Sequence, residues 1–214
     1  MNPLIDQLLV LVMLLNFVGL GTTRVHVAIR TVAGQGVILG LLPGLLHNFT
    51  WHLGVITVVI ILAKGVIIPW LILRAMKTVD IRADVEPFVS HATTLFLGAV
   101  TTALAFAFAA RLPLAPQHQG LLLVPAAIAT ITAGFLVLTT RKKAITQVIG
   151  YLILENGIFI FGLLLSEAMP VMVEAGVLLD LIVGIFVMGI IINQISREFS
   201  SIDTSRLTAL REEE

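Results

Sequence analysis

The feature that most constrains this chain is a succession of apolar blocks, each about 20 residues long and broken only by short polar stretches. Coiled as a helix at about 1.5 Å per residue, such a block matches the roughly 30 Å hydrocarbon thickness of a bilayer. Helices are the form expected, because lipid has no water to satisfy exposed backbone groups. Seven blocks are read: Pro3 to Leu20, Val27 to Leu46, His52 to Leu73, Phe88 to Ala110, Gly120 to Thr139, Ala144 to Leu165, and Val171 to Ile195. The expected fold class is therefore all-α, a polytopic membrane protein with seven transmembrane helices. Composition agrees: 58% of residues are hydrophobic and 12% charged, with a mean hydropathy of +1.06. A soluble domain carries about a quarter charged residues. No stretch is left for a soluble catalytic domain.

The basic residues sort by loop. Arg24 and Arg30 follow the first block, Arg74, Lys77 and Arg82 the third, Arg141 to Lys143 the fifth, and Arg197, Arg206 and Arg211 the seventh. Arg111 stands alone on the other side, and Lys64 lies inside a block. The positive-inside bias then places the N-terminus outside and the C-terminus in the cytoplasm. The start of the chain lacks a basic region and carries Asp6, which reads as a retained first span rather than a cleaved signal peptide. Organisation follows: residues 1–76 form a three-helix N-terminal membrane part and 77–87 a cytoplasmic loop. Residues 88–195 form a four-helix part, and 196–214 a polar cytoplasmic tail. Leu207 and Leu210 give that tail a short helical face suited to a soluble partner, a merely solvated tail being the plain alternative.

Several chemistries are excluded. With no cysteine, the chain offers no iron–sulfur ligation, disulfide or thiolate nucleophile. Walker, dinucleotide-binding and nucleophile-elbow motifs are absent. Balanced charge, 13 basic against 13 acidic residues, gives no reason to expect a nucleic-acid partner. His26 and His91 fall at the cytoplasmic ends of spans two and four, the wrong depth to clamp a haem, and His47, His52 and His118 lack metal-ligand spacing. No catalytic, cofactor-binding or metal-binding residue is expected in this chain.

Three ionisable residues lie deep in the apolar blocks. Lys64 is about 15 Å from Arg74, Glu155 about 18 Å from Lys143, and Asp180 about 15 Å from Pro170, measured along helices. All three fall near the bilayer midplane, where charges are costly and as a rule functional. One base and two acids at one depth suit a pair plus a carboxyl able to take up and release a proton, although a static salt bridge is the plain alternative. Which acid Lys64 faces is open at this stage. Gln147, Tyr151 and Glu155 recur at i, i+4 and i+8, a polar ladder on one helix face. Glu174 lies near the outer surface. Pro69 removes a backbone donor near Lys64, freeing the carbonyl of Gly65 in a regular α-helix. Gly36, Gly40 and Gly44 form a small-residue stripe for close helix packing.

Leu62 to Trp70 (LAKGVIIPW), Ile149 to Gly157 (IGYLILENG), Val173 to Asp180 (VEAGVLLD) and, in the tail, Thr204 to Leu210 (TSRLTAL) resemble the membrane component E of hydrogenase-4 and related formate hydrogenlyases, in the same order along essentially the whole chain. The most specific parts are Lys64 with Pro69, the Glu155-Asn156-Gly157 triplet, and Glu174 with Asp180. Spans five to seven also resemble the small NuoK-like subunit of respiratory complex I and of multisubunit cation/proton antiporters. There Arg141 to Lys143 match a basic loop and Asp180 the acid of the last helix. Glu155 departs from that pattern: with Gly150 aligned, Leu152 stands where the earlier acid would be. The resemblance implies a non-redox membrane subunit of a membrane-bound [NiFe]-hydrogenase complex in the inner (cytoplasmic) membrane. It would lie beside antiporter-like subunits, with a soluble hydrogenase arm near its cytoplasmic loops and tail. The proton or ion pathway would use Lys64, Glu155, Asp180, Glu174, Tyr151 and Gln147, while metals and clusters would belong to the partners.

Overall fold

The computed structural model describes residues 3–46, 51–78, 88–113 and 122–165. Among them every regular element is helical: α1 (Pro3–Gly21), α2 (Val25–Leu46), α3 (Trp51–Ile60), a π-helical segment (Ile61–Ile67), α4 (Ile68–Thr78), α5 (His91–Ala109), α6 (Leu123–Thr140) and α7 (Ala144–Leu165). The segments from Pro3 to Gly21, Val25 to Leu46, Thr57 to Arg74, His91 to Ala109, Leu123 to Thr140 and Ile145 to Leu165 are each long and apolar enough to cross a membrane. The described residues thus make a multi-pass membrane protein. The seventh expected span, Val171 to Ile195, lies outside the described residues, as do the loop after Thr78 and the tail.

Local chemistry sets the helix ends. The fourth span starts at His91 rather than Phe88 because Ser90 caps it, its hydroxyl oxygen accepting the Thr93 N–H at 3.2 Å. The α1–α2 and α6–α7 connections are three residues each, Thr22 to Arg24 and Arg141 to Lys143, so both pairs are antiparallel neighbours. At this basic end the Phe88 N–H donates to the Thr140 carbonyl at 2.7 Å, tying the approach to α5 onto the end of α6. At the opposite end an Asp6 carboxylate oxygen accepts the Leu122 N–H at 3.0 Å, joining the start of α1 to the start of α6.

The third span departs most from expectation. From Trp51 to Thr78 it is one continuous helical run, but its middle turns are π-helical. The Ile68 N–H donates to the Ala63 carbonyl, five residues back rather than four. Pro69 follows immediately. A proline ring crowds the carbonyl four residues before it, and a wider turn relieves that crowding. Ile60, Lys64, Ile68, Ile72 and Met76 are all buried, so the inward stripe repeats every four residues. That spacing exceeds the 3.6 residues of an α-turn and is accommodated by the wide segment.

Glycines seat two of the seams. Cβ atoms built on Gly134, Gly150 and Gly157 would run into the backbones of Leu154, Leu138 and Ile131, so α6 and α7 touch main chain to main chain. The Gly36 and Gly40 stripe does the same for the third span: a Cβ on Gly40 would lie 2.5 Å from Ile61, and one on Gly36 would meet Lys64. The buried apolar residues fall into two separate clusters. One, toward the basic end, includes Leu20, Ile29, Ile72, Val137 and Ile149. The other, toward the far end, includes Leu9, Leu39, Ile60, Ala126 and Phe159.

Candidate functional site

Between those clusters lies a polar layer. On each contributing helix a polar residue falls between residues of the two clusters: Asn16 on α1, Gln35 on α2, Lys64 in the π segment, Thr130 on α6, and Glu155 with Asn156 on α7. Polar groups buried in a bundle that lipid surrounds must satisfy one another. They do so here. The Asn156 amide donates to the Gln35 carbonyl oxygen at 3.3 Å, the Gln35 amide to Asn16 Oδ1 at 2.7 Å, and the Asn16 amide to Thr130 Oγ1 at 2.9 Å.

The charged members meet at the α7 side of this layer. Lys64 Nζ lies 2.5 Å from Glu155 Oε1, and the two residues are only 7% and 2% exposed. Among the described residues, Lys64 thus pairs with Glu155. The Lys64 ammonium also stands 5.3 Å from the centroid of the Phe159 ring, one turn beyond Glu155 on α7. A ring face at that distance attracts a cation. A buried pair of this kind is net neutral, and protonation of the carboxylate would leave the pair with a net positive charge. The arrangement can therefore hold a charge state that changes when one proton enters or leaves.

Gln147 and Tyr151 lie on the same helix, nearer the basic end. The Gln147 side-chain amide donates to the Arg141 carbonyl at 3.1 Å, closing the first turn of α7, and Tyr151 packs partly buried against the apolar cluster of that end. Asp180 and Glu174 fall outside the described residues. No group of three or more His, Asp or Glu side chains converges as metal ligands among the described residues.

Two features were not read from the sequence. Asn16, Gln35 and Thr130 belong to the layer; Asn16 and Gln35 carried a usable signal as carboxamides within apolar blocks, whereas a threonine in a helix ordinarily bonds its own backbone. Arg141, read as a loop charge, is buried: its guanidinium donates to the Leu20 carbonyl at 2.5 Å and lies 3.1 Å from His91 Nε2. A guanidinium can only donate, so His91 accepts through that nitrogen. Burial lowers the Arg141 guanidinium from its ordinary value, but arginine remains cationic at neutral pH. This cation joins the end of α1, the start of α5 and the α6–α7 loop.

The helices and their charged layer define a class: a multi-pass membrane protein whose core is divided by buried, paired charges. The chain belongs to the same family as the uncharacterized protein Rv0085 of Mycobacterium tuberculosis, to which it is 30% identical over 189 residues, covering 86% of this chain and 85% of that protein. It is also similar to hydrogenase-4 component E of Escherichia coli K12 and of Shigella flexneri, 31% identical over 101 residues. That similarity covers 47% of this chain and 46% of those proteins, rather than essentially the whole chain as the quoted segments suggested. No protein-family model matches the chain, and no solved structure matches it significantly.

Proposed function

We propose that this chain is a non-redox membrane subunit of a membrane-bound [NiFe]-hydrogenase complex of the formate hydrogenlyase kind, in the cytoplasmic membrane. In this reading its intramembrane charges take part in proton or ion translocation coupled to hydrogen chemistry carried out by other subunits. The observation that carries the proposal is the Lys64–Glu155 pair, buried in a polar layer with an apolar cluster on either side. The similarity to hydrogenase-4 component E supplies the kind of complex. With apolar side chains above and below the layer, charge moves most easily within it, toward whatever polar group adjoins it. Asp180, at comparable depth by sequence, is the second carboxyl in this scheme: a proton arriving at Glu155 releases Lys64 to compensate another acid. Glu174, Tyr151 and Gln147 would extend the path toward the two surfaces. Antiporter-like membrane subunits are the neighbours that such a path requires.

The test is ion movement in membrane vesicles containing the assembled complex. Glu155→Gln keeps the side-chain volume and removes the titrating group; Asp180→Asn does the same at the second acid. Each is expected to leave co-purification of the complex intact and to abolish coupled translocation. Wild-type translocation in both variants would defeat the proposal. Loss of co-purification in both would favour the second reading, a structural scaffold in which the buried pair fixes helix register.

A further inference from the structure

The polar layer holds more than its charges, and the extra members share one helix. Gln35 and Gly36 are consecutive on α2, and each reaches a different side of the ion pair. The Gln35 amide has both ends committed: its nitrogen donates to Asn16 Oδ1 at 2.7 Å and to the Val12 carbonyl at 3.4 Å, and its oxygen accepts from Asn156 at 3.3 Å. Asn156 is the residue next to Glu155. Gly36 meets the other partner. A Cβ added there would stand 2.7 Å from Lys64 Cβ and 2.8 and 2.9 Å from the Lys64 carbonyl carbon and oxygen. The α2 backbone therefore rests directly on the π segment at the lysine.

From this geometry we infer that Gln35 and Gly36 are positioning residues: a two-residue step of α2 sets the separation between Lys64 and Glu155. The inference rests on the reading of that pair as the charge-handling element, and it names what holds the pair in register. Gln35 fixes the rotation of α7 through Asn156, and Gly36 fixes how closely the third span approaches. Both stand on consecutive positions of one helix, so the two contacts share a single stretch of backbone. A carboxamide neither gains nor loses a proton near neutrality, so the strut keeps its polarity whatever the charge on Glu155. In the low-dielectric core the interaction of two charges varies steeply with their separation, which makes a fixed spacing matter more here than at a surface.

The experiment reads that spacing directly. The full chain is reconstituted in phospholipid vesicles with 15N-lysine and 13C-glutamate, and the Lys64 Nζ to Glu155 Cδ dipolar coupling is measured by solid-state NMR, with Glu155→Gln identifying the signal. Gln35→Leu removes the strut, and Gly36→Ala drives a methyl group into the lysine backbone. Each is expected to weaken the coupling at least about twofold, because coupling falls with the cube of separation and overpacking forces backbone shifts. Arg141→Met, which loosens the bundle at its basic end without touching the layer, is expected to keep the wild-type coupling. In the assembled complex, Gln35→Leu should also displace the pH profile of translocation while Arg141→Met leaves it in place. Wild-type coupling in both Gln35→Leu and Gly36→Ala overturns the inference, as does equal weakening by Arg141→Met. If Gln35→Leu does not fold, Gly36→Ala decides alone. The coupling reports geometry whether or not ions move, so normal translocation by Glu155→Gln would remove the functional reading without altering this result.

Discussion

Two seams of this bundle are built with the same device and come out differently. Between α6 and α7, Gly134, Gly150 and Gly157 bring two regular α-helices into main-chain contact, and α6 carries no charged residue. Between α2 and the third span, Gly36 and Gly40 bring the chains equally close, but one partner is π-helical and carries Lys64 at the point of contact. Small residues therefore serve both a seam of apolar helices and a seam that carries a buried cation. In the first, close approach serves packing. In the second, it delivers a cation to the centre of the bundle, where Glu155 on α7 meets it. Wide helical turns are frequent at functional sites, and this one coincides with the only lysine within an apolar block.

The contrast can be tested most severely at the charged seam. Glu155→Leu would take the counter-charge of the salt bridge away from a buried ammonium, and we expect a loss of about 3–5 kcal/mol in unfolding free energy. The double variant Lys64→Met, Glu155→Leu should regain most of that loss, because an apolar pair of similar volume has no charge to strand. Denaturant titration of the lipid-reconstituted chain measures both. A double variant as unstable as the single would mean that the seam depends on something other than the pair. Gly134→Ala probes the uncharged seam by the same method. Its methyl group would overlap the Leu154 backbone, with an expected loss of about 1–3 kcal/mol and no charge pair able to compensate it.

The smallest expected effect lies outside both seams. Arg141→Met removes the donors to the Leu20 carbonyl and to His91. Leaving a buried acceptor unpaired costs about 1–3 kcal/mol, and the lower part of that range is expected because this end of the bundle lies near water. Thermal unfolding monitored by circular dichroism, with Arg141→Lys as the conservative comparison, measures it. An Arg141→Met loss as large as that of Glu155→Leu would show that the rim, not the charged seam, carries the greater share of stability.

Much of this was legible in advance, for identifiable reasons. The six described spans match blocks read from apolar run length, because a helix that crosses lipid needs a minimum number of apolar residues whatever its neighbours do. Lys64 and Glu155 stood out for the same reason: a charge in an apolar run is conspicuous without any knowledge of packing. The glycine stripe of α2 was read as a packing surface and is one. The amide layer was less visible. Asn16 and Gln35 each look like a tolerated polar residue in its own helix, and they gain meaning only when four helices align them at one depth. The burial of Arg141 left no sequence signal, since a basic loop residue looks the same whether it faces water or folds back over a helix end.

The sequence by itself determined how many of these segments can cross lipid and which side chains are out of place there, because both follow from transfer of single residues out of water. Only the tertiary structure decided that Lys64 faces Glu155, that a π-helical turn brings it there, and that carboxamides from three helices brace the meeting point. Those outcomes depend on the rotation and spacing of helices about one another. Contacts between residues more than a hundred positions apart set that spacing, as in the reach of Asn156 to Gln35, and no local window of sequence contains them.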